Sequence, residues 1–292
     1  MGAAPRYEVT SFDDRYTIYE LIDRHTDSRV QLCPERGGIV IGCRLNGREL
    51  LYLDRETFND PNANIRGGIP VLFPICGQLR EGRYEWEGHV YPMKNHGVAR
   101  TSVWEVEQTG ANHTSAWITL VLRSNEETKI SYPFDFELRF TYRLQDEQLS
   151  IEQSYSNRSG QPMPMVTGFH PYFATGNKHL PYETDATRYL DYNDGQTKTF
   201  QGSVDLGPLK ESVALLDPAK PEIAFPLAGD TQVRLRYSHL FRFVVIWSVQ
   251  GKPFVCVEPW TALNEALNDK KDLLMVQPGD TLTAELHIST GS

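Results

Sequence analysis

Alternation of apolar and polar residues with a period of two is the feature that most constrains the fold of this chain. Segments 137–144 and 232–237 place apolar side chains at every second position, with charged or hydrogen-bonding side chains between them. Such alternation indicates strands with one buried face. Segments 116–122 and 241–249 are largely apolar on both faces, which is typical of central strands covered by a second sheet. These patterns predict two packed β-sheets.

Turn signals between these segments favour antiparallel connections. Asn46-Gly47 and Glu87-Gly88 each separate two strand-like runs, and such dipeptides are typical of tight hairpins. Helical periodicity is confined to short pieces near residues 54–58 and 262–268, and strands do not alternate with long helices. We therefore predict an all-β fold, a large antiparallel β-sandwich with few short helices.

A stretch rich in proline, glycine and polar residues extends from residue 171 to residue 226. It fits either an interdomain linker or long loops on one β domain. The strand-like run 198–204 interrupts it and its composition never becomes low-complexity, which favours loops. Because large all-β sandwiches often form one unit, we predict a single domain over residues 1–292.

The charge of the chain limits its partners. The formal net charge is −9, and hydrophobic residues make up 40% of the sequence, as in ordinary globular proteins. An acidic protein repels phosphate backbones and anionic membrane surfaces, so we expect neither nucleic acid nor a membrane as partner. A local arginine cluster can still bind a small anion, because contacts within a pocket outweigh a diffuse field that salt screens.

The cysteines and the start of the chain indicate a reducing compartment. The four cysteines show no close pairing, and the N-terminal residues lack an apolar signal stretch. No apolar run approaches the roughly 20 residues that span a bilayer. We therefore expect reduced thiols and a cytoplasmic location.

His170 is the first candidate for chemistry. It follows an apolar strand and precedes Pro171, which ends regular pairing, so we expect the ring at a strand end. An imidazole with a pKa near neutrality can donate a proton to a substrate oxygen and later retrieve it. The alternative is a core histidine bonded to the backbone. Neighbouring aromatic residues favour the functional interpretation.

Glu258 is the second candidate. It follows the apolar run 254–257 and precedes Pro259, which predicts a carboxylate at the end of a buried strand. Burial of a carboxylate is costly unless the group is paired or functional. A partly desolvated glutamate is a competent general base. A buried salt bridge to an arginine is the alternative, and the sequence leaves it open.

His96, Arg100 and Arg66 are candidates for ligand binding. Gly97 lets the backbone beside His96 approach another surface closely, and Arg66 opens an irregular loop rich in glycine and proline. Imidazole and guanidinium donors suit sugar hydroxyls or phosphate oxygens. The alternatives are a histidine in a surface turn and solvated arginines. We expect no metal site, because no histidine or cysteine pair has the close spacing of zinc ligands.

Four motifs, taken together, resemble the aldose 1-epimerase (mutarotase) family, in the branch that includes glucose-6-phosphate 1-epimerases. They are Ile65–Pro70, His96–Arg100, Gly168–Phe173 and Val257–Trp260. Their order and spacing extend the resemblance over nearly the whole chain. The resemblance implies a galactose mutarotase-like fold, a β-sandwich that holds a small sugar or sugar phosphate.

The resemblance also implies roles for the candidate residues. Glu258 would be the general base that removes the C1 hydroxyl proton, and His170 would be the acid that protonates the ring oxygen. His96 and Arg66 would bind hydroxyls, while Arg100 would contact a hydroxyl or an anionic group. The implied activity interconverts the α and β anomers of a hexose or hexose 6-phosphate, without metal or redox cofactor.

This chain departs from the family pattern in two places, and two other functions stay open. Many mutarotases carry a sugar-binding aspartate in the region between His170 and Glu258, and the comparable stretch here, Lys210–Ala214, does not clearly supply it. The insert 78–94, with its hairpin, is longer than in some relatives and is expected to reshape the pocket rim. A catalytically silent carbohydrate-binding or regulatory module is the main alternative to an enzyme, because Trp86, Tyr172 and Trp260 could stack on sugars in either case. A lyase or hydrolase is weaker, since hydrolysis needs two opposed carboxylates.

Overall fold

The computed structural model describes residues 4–227, 229 and 231–291. Within these ranges the chain is built mainly from strands. In chain order the strands are β1 (Tyr7–Asp13), β2 (Thr17–Asp23), β3 (Ser28–Cys33), β4 (Ile39–Leu45), β5 (Arg48–Glu49), β6 (Val71–Leu72), β7 (Arg83–Trp86), β8 (His89–Pro92), β9 (Glu105–Ala111), β10 (Ala116–Arg123), β11 (Phe136–Gln145), β12 (Gln148–Asn157), β13 (Met163–Met165), β14 (Gly168–Phe169), β15 (Tyr172–Ala174), β16 (Arg188–Asp191), β17 (Gln196–Thr199), β18 (Val213–Leu215), β19 (Glu222–Pro226), β20 (Gln232–Tyr237), β21 (Phe243–Trp247), β22 (Phe254–Trp260), β23 (Leu274–Val276) and β24 (Thr281–Gly291).

Helices are few and short in the described ranges. The α-helices are α1 (Arg55–Asn59), α2 (Glu126–Ser131) and α3 (Ala266–Asp269). Single 3₁₀ turns occupy Pro34–Arg36, Arg80–Gly82 and Ala99–Thr101. None of these helices is long and apolar enough to cross a membrane.

Two large antiparallel sheets dominate the architecture. One has seven strands in the order β19-β20-β24-β12-β11-β10-β9. The other has the order β17-β16-β18-β21-β22-β14-β6, and β15 also pairs with β22 to make eight strands. A third sheet is formed by β1 to β5, and the pairs β13-β23 and β7-β8 complete the structure.

The main hydrophobic core lies between the two large sheets. Phe140 and Tyr142 of β11 belong to the same buried cluster as Val255 and Val257 of β22. Because successive side chains of a strand point to opposite faces, the other residues of β22 point away from this core. The predicted all-β sandwich with few short helices is thus confirmed.

Several predicted elements are confirmed in detail. The alternating segment 137–144 lies within β11, and 232–237 forms β20. Asn46-Gly47 joins β4 to β5, and Glu87-Gly88 joins β7 to β8. All four turn residues have positive φ, from 49° to 79°, as two-residue hairpins of this type require.

Other predictions are wrong in their bounds. The apolar run 241–249 is a strand only at Phe243–Trp247, and the expected run 198–204 is replaced by β17, which ends at Thr199. The helix predicted near 262–268 is only the four residues of α3. Helix α2 was not predicted, although Asn125 and Thr128 form a capping box at its start.

Candidate active site

Strand β22 carries the carboxylate on the face that points away from the core. Val255 and Val257 enter the main core, whereas Cys256, Glu258 and Trp260 alternate with them on the opposite face. Glu258 is only 1% exposed. The prediction that the strand ends at Glu258 is wrong, since β22 continues through Pro259 to Trp260.

A break in the neighbouring strand explains why the sheet tolerates this proline. Strand β14 pairs with β22 at Trp260, and β15 pairs with residues 254–256 of β22. His170 and Pro171 lie between these two short strands, so residues 257–259 have no ladder partner on that side. A proline costs little at a position where no ladder donor is needed. The predicted location of His170 at a strand end is confirmed.

The same break brings His170 against Glu258. Nε2 of His170 lies 3.4 Å from Oε1 of Glu258, and Oε2 of Glu258 accepts a hydrogen bond of 3.1 Å from Nε1 of Trp260. The imidazole stacks on the Tyr172 ring at a centroid distance of 4.7 Å. Nδ1 of His170 is buried and has no partner among the described residues. The two candidate catalytic groups are therefore in contact.

Burial moves the pKa values of this pair in opposite directions. Burial lowers the pKa of His170 well below its ordinary value, and the nearby His96 and Arg100 lower it further. Burial raises the pKa of Glu258 well above its ordinary value, although the Trp260 bond and Arg100 oppose the shift. Burial thus favours the neutral form of both groups. In that form the pair holds one proton, which lies on Glu258.

His96 faces the pair from another segment. Its backbone has φ 66°, and its ring centroid lies 5.1 Å from that of His170. The neighbouring Gly97 is needed because a Cβ there would lie 2.1 Å from the Phe73 carbonyl oxygen, as expected for a close backbone approach. Burial, with a smaller contribution from Arg100, lowers the pKa of His96 to about 3. His96 is therefore a neutral hydrogen-bonding group.

The two arginines approach the same space. The Arg66 guanidinium carbon lies 5.8 Å from the centre of the Trp247 ring. Its loop is held against β4, because a Cβ on Gly68 would lie 2.2 Å from the carbonyl oxygen of Val40. Burial lowers the pKa of Arg100, and the charge of Arg66 adds to that effect while Tyr172 and Glu258 oppose it. Neither guanidinium forms an ion pair within the described part of the chain.

All five predicted residues line one cavity of about 320 Å³, a size typical of small-molecule sites. It opens on the face of the eight-stranded sheet that is turned away from the main core. The other residues that line it are Asn64, Ile65, Gly77, Gln78, Asn95, Tyr172, Lys210, Glu211, Ser212, Val245, Trp247, Trp260 and Asn264.

The loop before β18 supplies polar groups that sequence reasoning missed. The amide nitrogens of Lys210 and Glu211 donate to Oδ1 of Asn193, at 3.0 and 2.9 Å, and Nε1 of Trp247 donates to the Lys210 carbonyl. These bonds hold Lys210, Glu211 and Ser212 at the cavity. Glu211 lies in the segment that lacks the family aspartate, and the fold brings its carboxylate to the same cavity.

The aromatic residues at the site differ in part from the prediction. Tyr172 and Trp260 line the cavity, and so does Trp247, which periodicity along β21 could have indicated. Trp86 does not line it; the Trp86 ring packs beside Phe134 and the Lys270 ammonium instead. Of the insert 78–94, only Gln78 reaches the cavity, so the expectation that its hairpin shapes the rim is wrong.

One set of side chains in the described ranges could offer three donor atoms to a metal ion. A ring nitrogen of His170, Sγ of Cys256 and a carboxylate oxygen of Glu258 lie within 4.8 Å of one another. Burial raises the pKa of the Cys256 thiol well above its ordinary value, so the sulfur keeps its proton at neutral pH. A metal ion would have to displace that proton in order to bind the sulfur. The set therefore fits proton transfer by His170 and Glu258 better than metal binding.

Comparisons with known proteins agree with this architecture. The family described as aldose 1-epimerase matches residues 21–289 of the chain. The crystal structure of the Slr1438 protein from Synechocystis sp. PCC 6803 is 35% identical, with a TM-score of 0.91, over 98% of this chain and 99% of that one. A galactose mutarotase-like protein from Clostridium acetobutylicum shares the fold, with a TM-score of 0.81 at 18% identity, over 98% of this chain and 99% of that one.

One protein of similar sequence carries the name of the glucose-6-phosphate 1-epimerase branch, which the four motifs resemble. A candidate glucose-6-phosphate 1-epimerase from Cenchrus ciliaris is 25% identical over 258 residues, which cover 80% of this chain and 69% of that protein. The family match extends over most of the chain, and the fold and the arrangement of the motifs agree with it. This chain therefore belongs to the aldose 1-epimerase family and has a galactose mutarotase-like fold.

Proposed function

We propose that the protein interconverts the α and β anomers of a hexose or hexose 6-phosphate. One observation carries the proposal: a buried imidazole and a buried carboxyl group lie 3.4 Å apart at a cavity of about 320 Å³. Ring opening of a cyclic aldose needs one proton removed from the C1 hydroxyl and one delivered to the ring oxygen. A pair that holds a single proton supplies both transfers.

The reaction begins when Glu258 is a carboxylate and the shared proton lies on His170. Hydroxyl groups of the bound sugar donate to the Glu258 carboxylate, and such hydrogen bonds favour its charged form. Glu258 takes the C1 hydroxyl proton as the electron pair of that bond forms the C1 carbonyl. The bond between C1 and the ring oxygen breaks, and His170 gives its proton to the departing oxygen.

Closure reverses both transfers. Rotation about the bond between C1 and C2 presents the other face of the aldehyde to the C5 hydroxyl. His170 recovers its proton from that hydroxyl, and Glu258 returns its proton to the C1 oxygen. The atoms and charges balance with no redox step. We therefore propose that the protein needs no metal or redox cofactor, so exhaustive treatment with a chelator should leave turnover unchanged.

The remaining polar groups would bind the sugar. His96 is neutral and borders the cavity, so it suits a hydroxyl or the carbonyl of the open form. The Glu211 carboxylate suits a pair of sugar hydroxyls, and this would compensate for the absent aspartate. Tyr172, Trp247 and Trp260 provide flat apolar faces for a sugar ring.

A 6-phosphate group is favoured by the two arginines. Arg66 and Arg100 face one cavity without a carboxylate partner among the described residues, and an anion would offset their repulsion. Arg100 also borders a second cavity of about 460 Å³, whose lining includes Lys94 and Arg36. The relative named for glucose 6-phosphate supports the same substrate class.

An anomer-resolved assay tests the proposal. Polarimetry on freshly dissolved α-glucose and a coupled assay on α-glucose 6-phosphate should both be compared with buffer alone. Glu258→Gln and His170→Asn should each lower kcat by roughly a hundred- to ten-thousand-fold. Glu285→Gln, which changes an exposed carboxylate on β24, is the matched control and should keep wild-type turnover.

The same assay separates the enzyme from the carbohydrate-binding alternative. A wild-type protein that binds hexoses in calorimetry but accelerates none of glucose, galactose and glucose 6-phosphate would establish the silent binding module. Release of a shorter product from an oligosaccharide would instead indicate a lyase or hydrolase. No contact at the site favours either alternative over anomer interconversion.

A further inference from the structure

His96 forms two hydrogen bonds with one residue, one through its ring and one through its backbone. The backbone nitrogen of Gly77 donates to Nδ1 of His96 at 3.0 Å, and the backbone nitrogen of His96 donates to the Gly77 carbonyl at 2.7 Å. A ring nitrogen that accepts from an amide has no hydrogen of its own. In the neutral ring the hydrogen is therefore on Nε2.

The opposite side of the ring is open to a ligand. His96 borders the cavity, and no group of the described residues bonds Nε2. Because the pKa of His96 is lowered to about 3, chiefly by burial, the ring is neutral at physiological pH. The amide of Gly77 thus decides that Nε2 of His96 presents a donor, and not an acceptor, to the bound molecule.

The turn that carries this amide is attached to a second segment of the chain. The backbone nitrogen of Gln78 donates to Oδ1 of Asn264 at 3.1 Å, and the backbone nitrogen of Glu265 donates to the Gln78 carbonyl at 3.2 Å. Both polar groups of the Gln78 backbone are therefore used by the corner that precedes α3. A change in that corner would move the turn.

Close packing of Asn264 against Gly77 also holds the turn in place. Gly77 has φ 70°, and a Cβ at this position would lie 1.7 Å from Oδ1 of Asn264. The carboxamide of Asn264 therefore occupies the space that a side chain at position 77 would need. It also accepts the next amide along the chain, so the position of Gly77 is fixed by contact and by hydrogen bonding together.

We propose that Asn264 is a positioning residue that selects the tautomer of His96. By holding the turn at Gly77 and Gln78, its carboxamide keeps the Gly77 amide aimed at Nδ1, and the Nε2 hydrogen is left to donate to a sugar oxygen. The effect on catalysis rests on the proposed function. The effect on the tautomer does not, because it follows from contacts within the protein itself.

Nitrogen-15 NMR of the histidine rings tests the tautomer directly, with the His96 signals assigned by their loss in His96→Gln. The wild-type protein should show only the form protonated at Nε2. Asn264→Ala should give shifts averaged between the two tautomers. Asn264→Asp keeps an acceptor oxygen and should restore the wild-type pattern. Should Asn264→Ala fail to fold, Asn264→Leu fills the same space without an acceptor and replaces it.

Kinetics supply the second readout and the control. Asn264→Ala should raise KM roughly three- to tenfold, the range of one hydrogen bond, with a smaller change in kcat. Asn64→Ala also alters a cavity residue but leaves the turn intact, so it should keep the wild-type tautomer. The proposal is overturned if Asn264→Ala still shows only the Nε2 tautomer of His96. It is also overturned if the wild-type protein does not show that tautomer alone. An inactive wild type would overturn the proposed function alone.

Discussion

At the scale of residues, the proposed reaction depends on the proton that His170 and Glu258 share. Desolvation disfavours the charged form of each group, so the ion pair and the neutral pair compete for one proton. Addition of a second proton occurs below the ordinary imidazole range, because burial lowers the pKa of His170. Loss of the shared proton occurs above the ordinary carboxyl range, because burial raises the pKa of Glu258.

This arrangement predicts a bell-shaped dependence of kcat/KM on pH. Activity should fall on the acid side as His170 and Glu258 both become protonated, and on the alkaline side as the pair loses its last proton. The measurement is the initial rate of anomer exchange with the rate of the matched buffer subtracted at each pH. A profile that is flat from acid to alkaline conditions would contradict the one-proton pair.

The hydrogen bond from Trp260 predicts a shift of the alkaline limb. Its Nε1 donates to Oε2 of Glu258 and lowers the pKa of that carboxyl group. Trp260→Phe keeps an aromatic ring but removes the donor, so the alkaline limb should move to higher pH. Trp247→Phe is the control, because its Nε1 bonds the Lys210 carbonyl and not Glu258. An unmoved limb in Trp260→Phe, or an equal shift in both variants, would contradict this role.

At the scale of elements, glycines with positive φ fix the loops that reach the site. Gly97 and Gly88 both have φ 79°, yet only Gly97 lies against another backbone segment. A Cβ on Gly97 would lie 2.1 Å from the Phe73 carbonyl oxygen, whereas nothing lies within 4 Å of a Cβ on Gly88. The two positions thus share one conformation and differ in packing.

This comparison predicts unequal effects of the same substitution. Gly88→Ala should cost only the strain of the left-handed conformation, about 1–2 kcal/mol in the free energy of unfolding. Gly97→Ala should cost clearly more and should also reduce turnover, because the segment of His96 must move away from Phe73. Chemical denaturation and the anomer assay measure the two effects. Equal losses of stability would show that the close approach to Phe73 is unimportant.

Period-two patterns and turn dipeptides could predict much of the fold. Strand β11 and both hairpins follow from local chemistry, since the alternation and the positive φ values are properties of a few adjacent residues. The continuation of β22 past Glu258 could not be predicted, because Pro259 is tolerated only where the neighbouring strand is interrupted. That interruption depends on residues nearly 90 positions away.

In the candidate site, too, some residues could be predicted from the sequence and others could not. The five residues named from motifs lie at one cavity. Glu211 and Asn264 were missed because neither stands in a motif. Each reaches the cavity through loop contacts, such as the bonds of Asn193 to the Lys210–Glu211 backbone, which no local pattern encodes.

At the scale of the whole molecule, one continuous core connects distant parts of the sequence. The main buried cluster includes Tyr7 near the start of the described chain and Ile288 near its end. It also contains Phe140 from the seven-stranded sheet and Val257 from β22, the strand that carries Glu258. Loss of either large sheet would expose the inner face of the other.

The shared core predicts that residues 1–292 unfold as one domain. Tryptophan fluorescence, which reports on Trp104 in the core and on Trp260 at the cavity, should change at the same urea concentration as far-ultraviolet circular dichroism. Loss of catalytic activity should follow the same curve. Two separated transitions would indicate two domains and would contradict the prediction.

The interruption between β14 and β15 also leaves the backbone around Glu258 with a neighbouring strand on one side only. The backbone at residues 257–259 has no ladder partner on that side and is paired only with β21 on the other side. The two anomers of a sugar place the C1 oxygen at different points, axial in one and equatorial in the other. A strand paired on one side only is easier to displace than one paired on both sides, so under the proposed function we expect the Glu258 carboxylate to follow the oxygen between these points and to serve both directions of the reaction.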